Sequence, residues 1–178
     1  MAKREALREF QSRLAERLKA ARSTGVAASW LGVEAAGVRY LLPLSQSGEI
    51  FPWVATQRVP YTQAWFAGVA NLRGGLFGVV NLGAYLEPDM RQAPARGEAQ
   101  RAQARLVALN PLLEINCAVL VDRLAGLRGV ESFATSAPAP EGAPPYFGNA
   151  YTEADGSTWQ EINLQSLSQQ ARFLGIGA

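Results

Sequence analysis

Few residues in this chain could do chemistry. Of its 178 residues none is histidine and one, Cys117, is cysteine. Without histidine the commonest general base at neutral pH, the commonest zinc ligand and every Ser-His or Cys-His arrangement are missing. A metal site built from carboxylates alone would need clustered Asp and Glu, and the sequence clusters none. A serine or cysteine nucleophile would need another base, and the only lysines are Lys3 and Lys19. There is no GxxxxGK[ST] loop and no GxGxxG between a strand and a helix. Cys117 sits among Ile115, Ala118 and Val119, which predicts a buried, unreactive thiol and excludes an internal disulfide. An enzyme is not ruled out, but the usual parts are absent, and nothing calls for a cofactor or metal. The notable charge is Arg73, set between two apolar runs with glycines at 68, 74, 75 and 78.

Those runs, residues 66–72 and 76–82, are rich in Val, Leu and Phe and too short for stable helices. Separated by Arg73-Gly74-Gly75, they read as a β-hairpin with Arg73 at its tip. Each glycine would cost about 1 kcal/mol in a helix interior, whereas in strands glycines mark bulges or close backbone approach. An arginine at a loop tip is commonly just solvated, and is also a good recognition group.

The rest of the chain fits the same class. Residues 3–22 predict a helix, with Leu7, Phe10, Leu14, Leu18 and Ala21 in one apolar stripe and Gly25 suited to end it. Its seven basic and three acidic residues give it +4, so the remainder of this +2 chain is near −2. It can dock on the body, or bind a partner, a nucleic acid or a membrane surface. Residues 30–35 and 38–44 predict a first hairpin around Gly37, and 50–55 another short strand. Residues 83–86 make at most one helical turn. Residues 87–104, rich in Pro, Ala, Gln and charge, predict a mobile connection near residue 95 between two sets of strands. Strands follow at 105–109, 115–122 and 126–130, then a loop over 134–145 stiffened by Pro138, Pro140, Pro144 and Pro145. Residues 146–152 and 157–162 flank an Asp155-Gly156 turn, and Leu164, Leu167, Ala171 and Leu174 close the chain at helical spacing. Many short strands with turn chemistry between them argue for an all-β barrel or sandwich. With 48% hydrophobic and 18% charged residues, no apolar run long enough to span a membrane and no apolar leader, the chain reads as cytoplasmic.

The central stretch also carries a resemblance. Pro60, an aromatic-rich turn, Gly68-Val69-Ala70-Asn71-Leu72-Arg73-Gly74 and a strand ending Asn81-Leu82 resemble the core of the CheW-like domain. That family has a proline, "GV-x-NLRG" and then "-V-P-V-x-DL"; here Gly78 replaces its Pro and Asn81 its Asp. Val119-Leu120-Val121-Asp122 and Glu161-Ile162-Asn163-Leu164 are similar to two further family segments, so the resemblance covers about residues 28–174. The N-terminal extension and Trp30 resemble most the PilI-type adaptors of twitching-motility chemosensory systems.

The resemblance implies two intertwined SH3-like five-stranded barrels, here with an added N-terminal helix over 1–25 and a short C-terminal helix. It also implies a non-catalytic adaptor joining the cytoplasmic tip of methyl-accepting chemoreceptors to the regulatory domain of a CheA-like histidine kinase. Such an adaptor is recruited to membrane-bound receptor arrays. Glu49 falls where the family carries a Glu, and Arg73 is the Arg of its NLRG. Glu49, Arg73, Gly68 and Gly74 are therefore the expected receptor-binding residues, and Leu7, Phe10, Leu14 and Leu18 an expected partner-binding stripe. A flagellar-type coupling protein is the near alternative. A small-barrel nucleic-acid binder is the distant one, since the body is slightly acidic and its Trp and Tyr are not interleaved with Lys or Arg.

Overall fold

The structure, a computed structural model, describes residues 30–90 and 96–178. The predicted N-terminal helix, with Leu7, Phe10, Leu14 and Leu18, lies outside the described residues, as do 91–95 of the predicted connection. Among the described residues eleven strands form two mixed sheets. In chain order they are β1 (Trp30–Ala35), β2 (Val38–Pro43), β3 (Ser47–Pro52), β4 (Phe66–Leu72), β5 (Gly75–Asn81), β6 (Arg105–Leu109), β7 (Cys117–Val121), β8 (Arg123–Arg128), β9 (Thr135–Ala137), β10 (Phe147–Thr152) and β11 (Thr158–Ile162). The first sheet runs β8-β1-β2-β11-β10-β9 and the second β3-β6-β7-β5-β4.

This order corrects one expectation. The described strands do not divide into two sets at residue 95: β1 and β2 share a sheet with strands from the far end of the chain, and β3 to β5 share one with β6 and β7. Each half of the chain gives its opening hairpin to one barrel and its remaining strands to the other. The halves have the same plan, with β11 parallel to β2 and β5 parallel to β7. Helices α1 (Leu82–Leu86) and α3 (Leu164–Ser168) follow β5 and β11, and an Asn side chain caps each. Asn81 Oδ1 accepts from Ala84 N at 3.2 Å, and Asn163 Oδ1 from Ser166 N at 2.9 Å. Asn at position 81 thus serves as a cap, a job open equally to the family's Asp.

Alternation along the strands makes three apolar layers. Leu31, Val33 and Leu42 of the first sheet meet Val80, Val107, Val119 and Val121 of the second in a shared core, with Trp65, Tyr85 and Phe173. The opposite faces fill each barrel: Trp30, Leu41 and Trp159 in one, Ala70, Leu72, Val79, Leu106 and Leu120 in the other. β1 and β7 are therefore buried on both faces, which is why they read as continuous apolar runs.

Smaller differences have local causes. β3 is Ser47–Pro52, so residues 53–55 of the predicted strand are irregular. Glu98–Gln103, inside the predicted connection, is helix α2: Glu, Ala, Gln and Arg favour helix without an apolar stripe. Gln100 Oε1 accepts from Gly97 N at 3.0 Å, and the Arg101 guanidinium lies 5.0 Å from the Trp53 ring centroid. The Pro-rich loop contains β9, which pairs with β10. The closing helix is two short ones, α3 and α4 (Ala171–Leu174), because Gln170 is extended. The break turns the stripe, so Phe173 is buried in place of Leu174.

Candidate functional site

The second sheet explains the motif around Arg73. β3 and β4 are its two edges, so a barrel closes only if something joins them. After β3 the chain returns to β4, where Gln57 N donates to Val69 O at 2.8 Å and Val69 N to Gln57 O at 2.9 Å. Thr56 Oγ1 adds a bond to Ala67 O at 2.8 Å. The crossing is so close that a Cβ on Gly68, whose φ is +122°, would sit 2.2 Å from Gln57 O. The missing side chain at Gly68 thus makes room for this chain's own backbone, and the expectation that it admits a partner gives way to a role in the seam.

The tip follows from its residues. Leu72 anchors it in the barrel core. Arg73 (φ 50°) and Gly74 (φ 80°) are both left-handed, which makes the two-residue turn whose twist suits a hairpin. Asn71 Oδ1 accepts from Gly74 N at 2.9 Å and holds the turn. Arg73 Nη2 then reaches Glu49 Oε1 on β3 at 2.8 Å. Glu49 is turned outward by a bulge between Ser47 and Ile50. At that bulge Gly48 lies so near β6 that a Cβ would be 2.9 Å from Leu109 O. The structure therefore brings together Glu49, Arg73 and Gly74, and puts Gly68 on the seam beside them. A Cβ on Gly74 would meet nothing within 4 Å, so the backbone at the tip is open. The Arg73 side chain is 77% exposed and that of Glu49 44%. Exposed Leu76 and Ile50 flank the pair.

Elsewhere charges are used internally. Glu34 holds Arg123 and Arg39, and the hydrogen bond from Arg123 keeps its carboxyl below the usual carboxylate range. Asp122 accepts from Ala36 N at 2.8 Å and pairs with Arg96, a structural role that sequence reasoning missed. The Asp122 side chain faces the Ala36-Gly37 turn, and only its place at the end of β7 hints at this. Burial pushes the Cys117 thiol up to about 12, which removes it as a nucleophile at neutral pH. Among the described residues no group of three or more His, Cys, Asp or Glu could hold a metal ion, and no helix is long and apolar enough to cross a membrane.

The comparisons with known proteins agree with this geometry. The CheW-like domain matches residues 29–172. Protein PilI of Pseudomonas aeruginosa is 25% identical over 167 residues, covering 92% of this chain and 88% of the relative. The crystal structure of the scaffolding protein TtCheW from Thermoanaerobacter tengcongensis superposes with a TM-score of 0.62 at 17% identity, over 83% of this chain and 96% of that one. With two exchanged barrels, an NLRG tip explained residue by residue and a family match over most of its length, the chain belongs to the CheW-like domain family of non-catalytic scaffold adaptors.

Proposed function

We propose that this protein couples the cytoplasmic tip of chemoreceptors to the regulatory domain of a CheA-like histidine kinase, in a pathway serving type IV pili. It works in the cytoplasm at membrane-bound receptor arrays, and Glu49, Arg73 and Gly74 form the polar centre of its receptor contact. The observation that carries this is the solvated ion pair at an open hairpin tip. An exposed pair contributes only ~0–1 kcal/mol to folding, so its presence at the tip is poorly explained by stability alone. A receptor helix laid across Gly74 could approach the backbone closely, with Ile50 and Leu76 as apolar flanks. The likeness to PilI supports the pilus assignment.

The test is capture of a receptor-tip fragment by Arg73→Ala and Glu49→Ala, beside a thermal melt of each. A recognition pair leaves the melt nearly unchanged and weakens capture, since truncating one partner of a desolvated pair costs ~2–5 kcal/mol. A pair that only closes the barrel lowers stability slightly and leaves capture intact. Unaltered capture by Arg73→Ala removes the site from the proposal; failure of the unmodified protein to capture any receptor or kinase fragment removes the function.

A further inference from the structure

We infer that residues 175–178 form a releasable strap, whose docking on the loop before β4 sets the order of the second barrel's seam and of the tip beyond it. The strap starts where α4 stops, at Gly175. Just before it Phe173 is buried and stacked on Trp65, with ring centroids 6.3 Å apart, so α4 itself is fixed in the shared core. Beyond Gly175 the hold on the loop is mostly main chain. Gln63 N donates to Ile176 O at 2.7 Å and Ala178 N to Tyr61 O at 2.9 Å, which makes Thr62 and Gly177 facing partners in an antiparallel bridge. Gln63 Nε2 adds a bond to Gly177 O at 2.8 Å. Ile176 packs at the rim of the core, while Gly175, Gly177 and Ala178 are exposed.

The loop depends on these bonds. Residues 57–61 are all exposed, and residues 58–64 with Phe66 surround a recess of about 280 Å³, which among the described residues they alone line. Tyr61 is 89% exposed and has φ 57°, a region in which a bulky L-residue is strained. Burial of the ring does not offset that strain; the bond from Ala178 N to the Tyr61 carbonyl holds the residue in place. Release of the strap lets Tyr61 relax, so the loop has two states, strapped and strained or free and relaxed. Few apolar contacts and exposed backbone bonds mark a segment that opens without global unfolding. The loop also passes its state on. Gln57 makes the two bonds to Val69 that close the seam, and Val69 lies two residues before Asn71, whose side chain holds Gly74 N at the tip. This coupling concerns backbone order and stands whether or not the tip binds a receptor.

A reversible lock on the full chain tests this. Thr62 and Gly177 face each other without a hydrogen bond between them, the closer spacing of an antiparallel ladder and within disulfide reach. A Cβ on Gly177 meets nothing within 4 Å. Thr62→Cys with Gly177→Cys, leaving the buried Cys117 in place, is oxidised mildly and its bond checked by peptide mapping. Hydrogen exchange at the Gln57, Gln63, Val69 and Gly74 amides is then compared between the oxidised and reduced forms. Locking should slow all four by ~tenfold or more, leave the β7 amides unchanged and reverse with reductant. Slowing confined to Gln63 overturns the inference, and so does β7 slowing in step with the loop. Gln63→Ala, which needs no engineered bond and removes one tie to Gly177, should speed exchange at Gln57, Val69 and Gly74 with β7 again unchanged. Unaltered exchange at those three amides in this variant also overturns the inference.

Discussion

Two glycines of one motif should respond very differently to alanine. At Gly68 a methyl group would lie 2.2 Å from Gln57 O and 2.7 Å from its carbonyl carbon, and the backbone there has φ +122°. Holding an L-residue in that region costs ~1–3 kcal/mol before any clash is counted. Relieving the clash means moving Gln57 away, which weakens the two bonds that tie it to Val69, each contributing ~0.5–1.5 kcal/mol. Gly68→Ala should therefore destabilise by ~2–5 kcal/mol and lower the melting temperature by ~5–15 °C for a chain of this size. At Gly74 the φ is +80° with open space around the new carbon, so only the left-handed cost of ~1 kcal/mol applies. Thermal melts and urea titrations of the two variants measure the gap. If Gly68→Ala proved no more costly than Gly74→Ala, the seam would not depend on this crossing, and the account of Gly68 would fail.

Other expectations are briefer. Cys117, buried and with its thiol raised to about 12, should resist a thiol reagent at pH 8 in the native state and react only when urea unfolds the protein. Burial holds the Glu161 carboxyl above its usual 4.5 despite hydrogen bonds from Tyr151 and Trp30. The folded state thus binds the proton more tightly, and stability from this group is complete below 4.5 and lost as pH rises through the raised value. Glu161→Gln should abolish that loss, so melts of the two proteins from pH 4 to 8 should diverge as pH rises; parallel curves would refute it. Arg128→Ala should cost more than Arg73→Ala, ~1–3 against ~0–1 kcal/mol, because Arg128 also lies 5.1 Å over the Trp159 ring; equal melting shifts would contradict this.

Strand existence was legible because β1, β4, β5 and β7 are short apolar runs bounded by turn residues. The hairpin tips at Gly37, Arg73-Gly74 and Asp155-Gly156 were legible for the same reason. What single-chain patterning could not show was partnership. β1 reads identically whether it pairs with β8 or with β6, since both faces are apolar either way. Exchange of hairpins between halves is a long-range fact with no local signature, and it entered only through the family resemblance. α2 was missed because a helix with no buried residue has no stripe to find, and the turn of the stripe at Gln170 because Leu174 continues the period while Phe173 does not. At the site, the resemblance pointed to Glu49 and Arg73 together, and geometry adds that they pair. Asn71 and Gln57, which make the tip and the seam possible, are ordinary polar residues whose use appears only once the strands are in register.

The repeated plan of the two barrels sharpens what the tip pair is for. Arg73 is the first residue past the last pair of β4, and Glu153 the first past the last pair of β10. Each faces an edge strand of its own barrel: Arg73 meets Glu49 of β3, and Glu153 lies 3.4 Å from Arg128 of β8, an ion-pair distance without hydrogen-bond geometry at Arg128 Nε. The charges are reversed between the barrels, so closing such a seam does not dictate which strand carries the acid. What differs is solvent. Arg128 and Glu153 are 29% and 21% exposed, with the guanidinium over Trp159, so that pair is already packed into its barrel. Arg73 and Glu49 are 77% and 44% exposed, so much of their mutual attraction is screened in the free protein. That attraction grows only when something dry is laid over the tip. Under the proposed function, a pair that adds little to folding, on open backbone beside Ile50 and Leu76, acts on association, and receptor capture by Arg73→Ala tests that role directly.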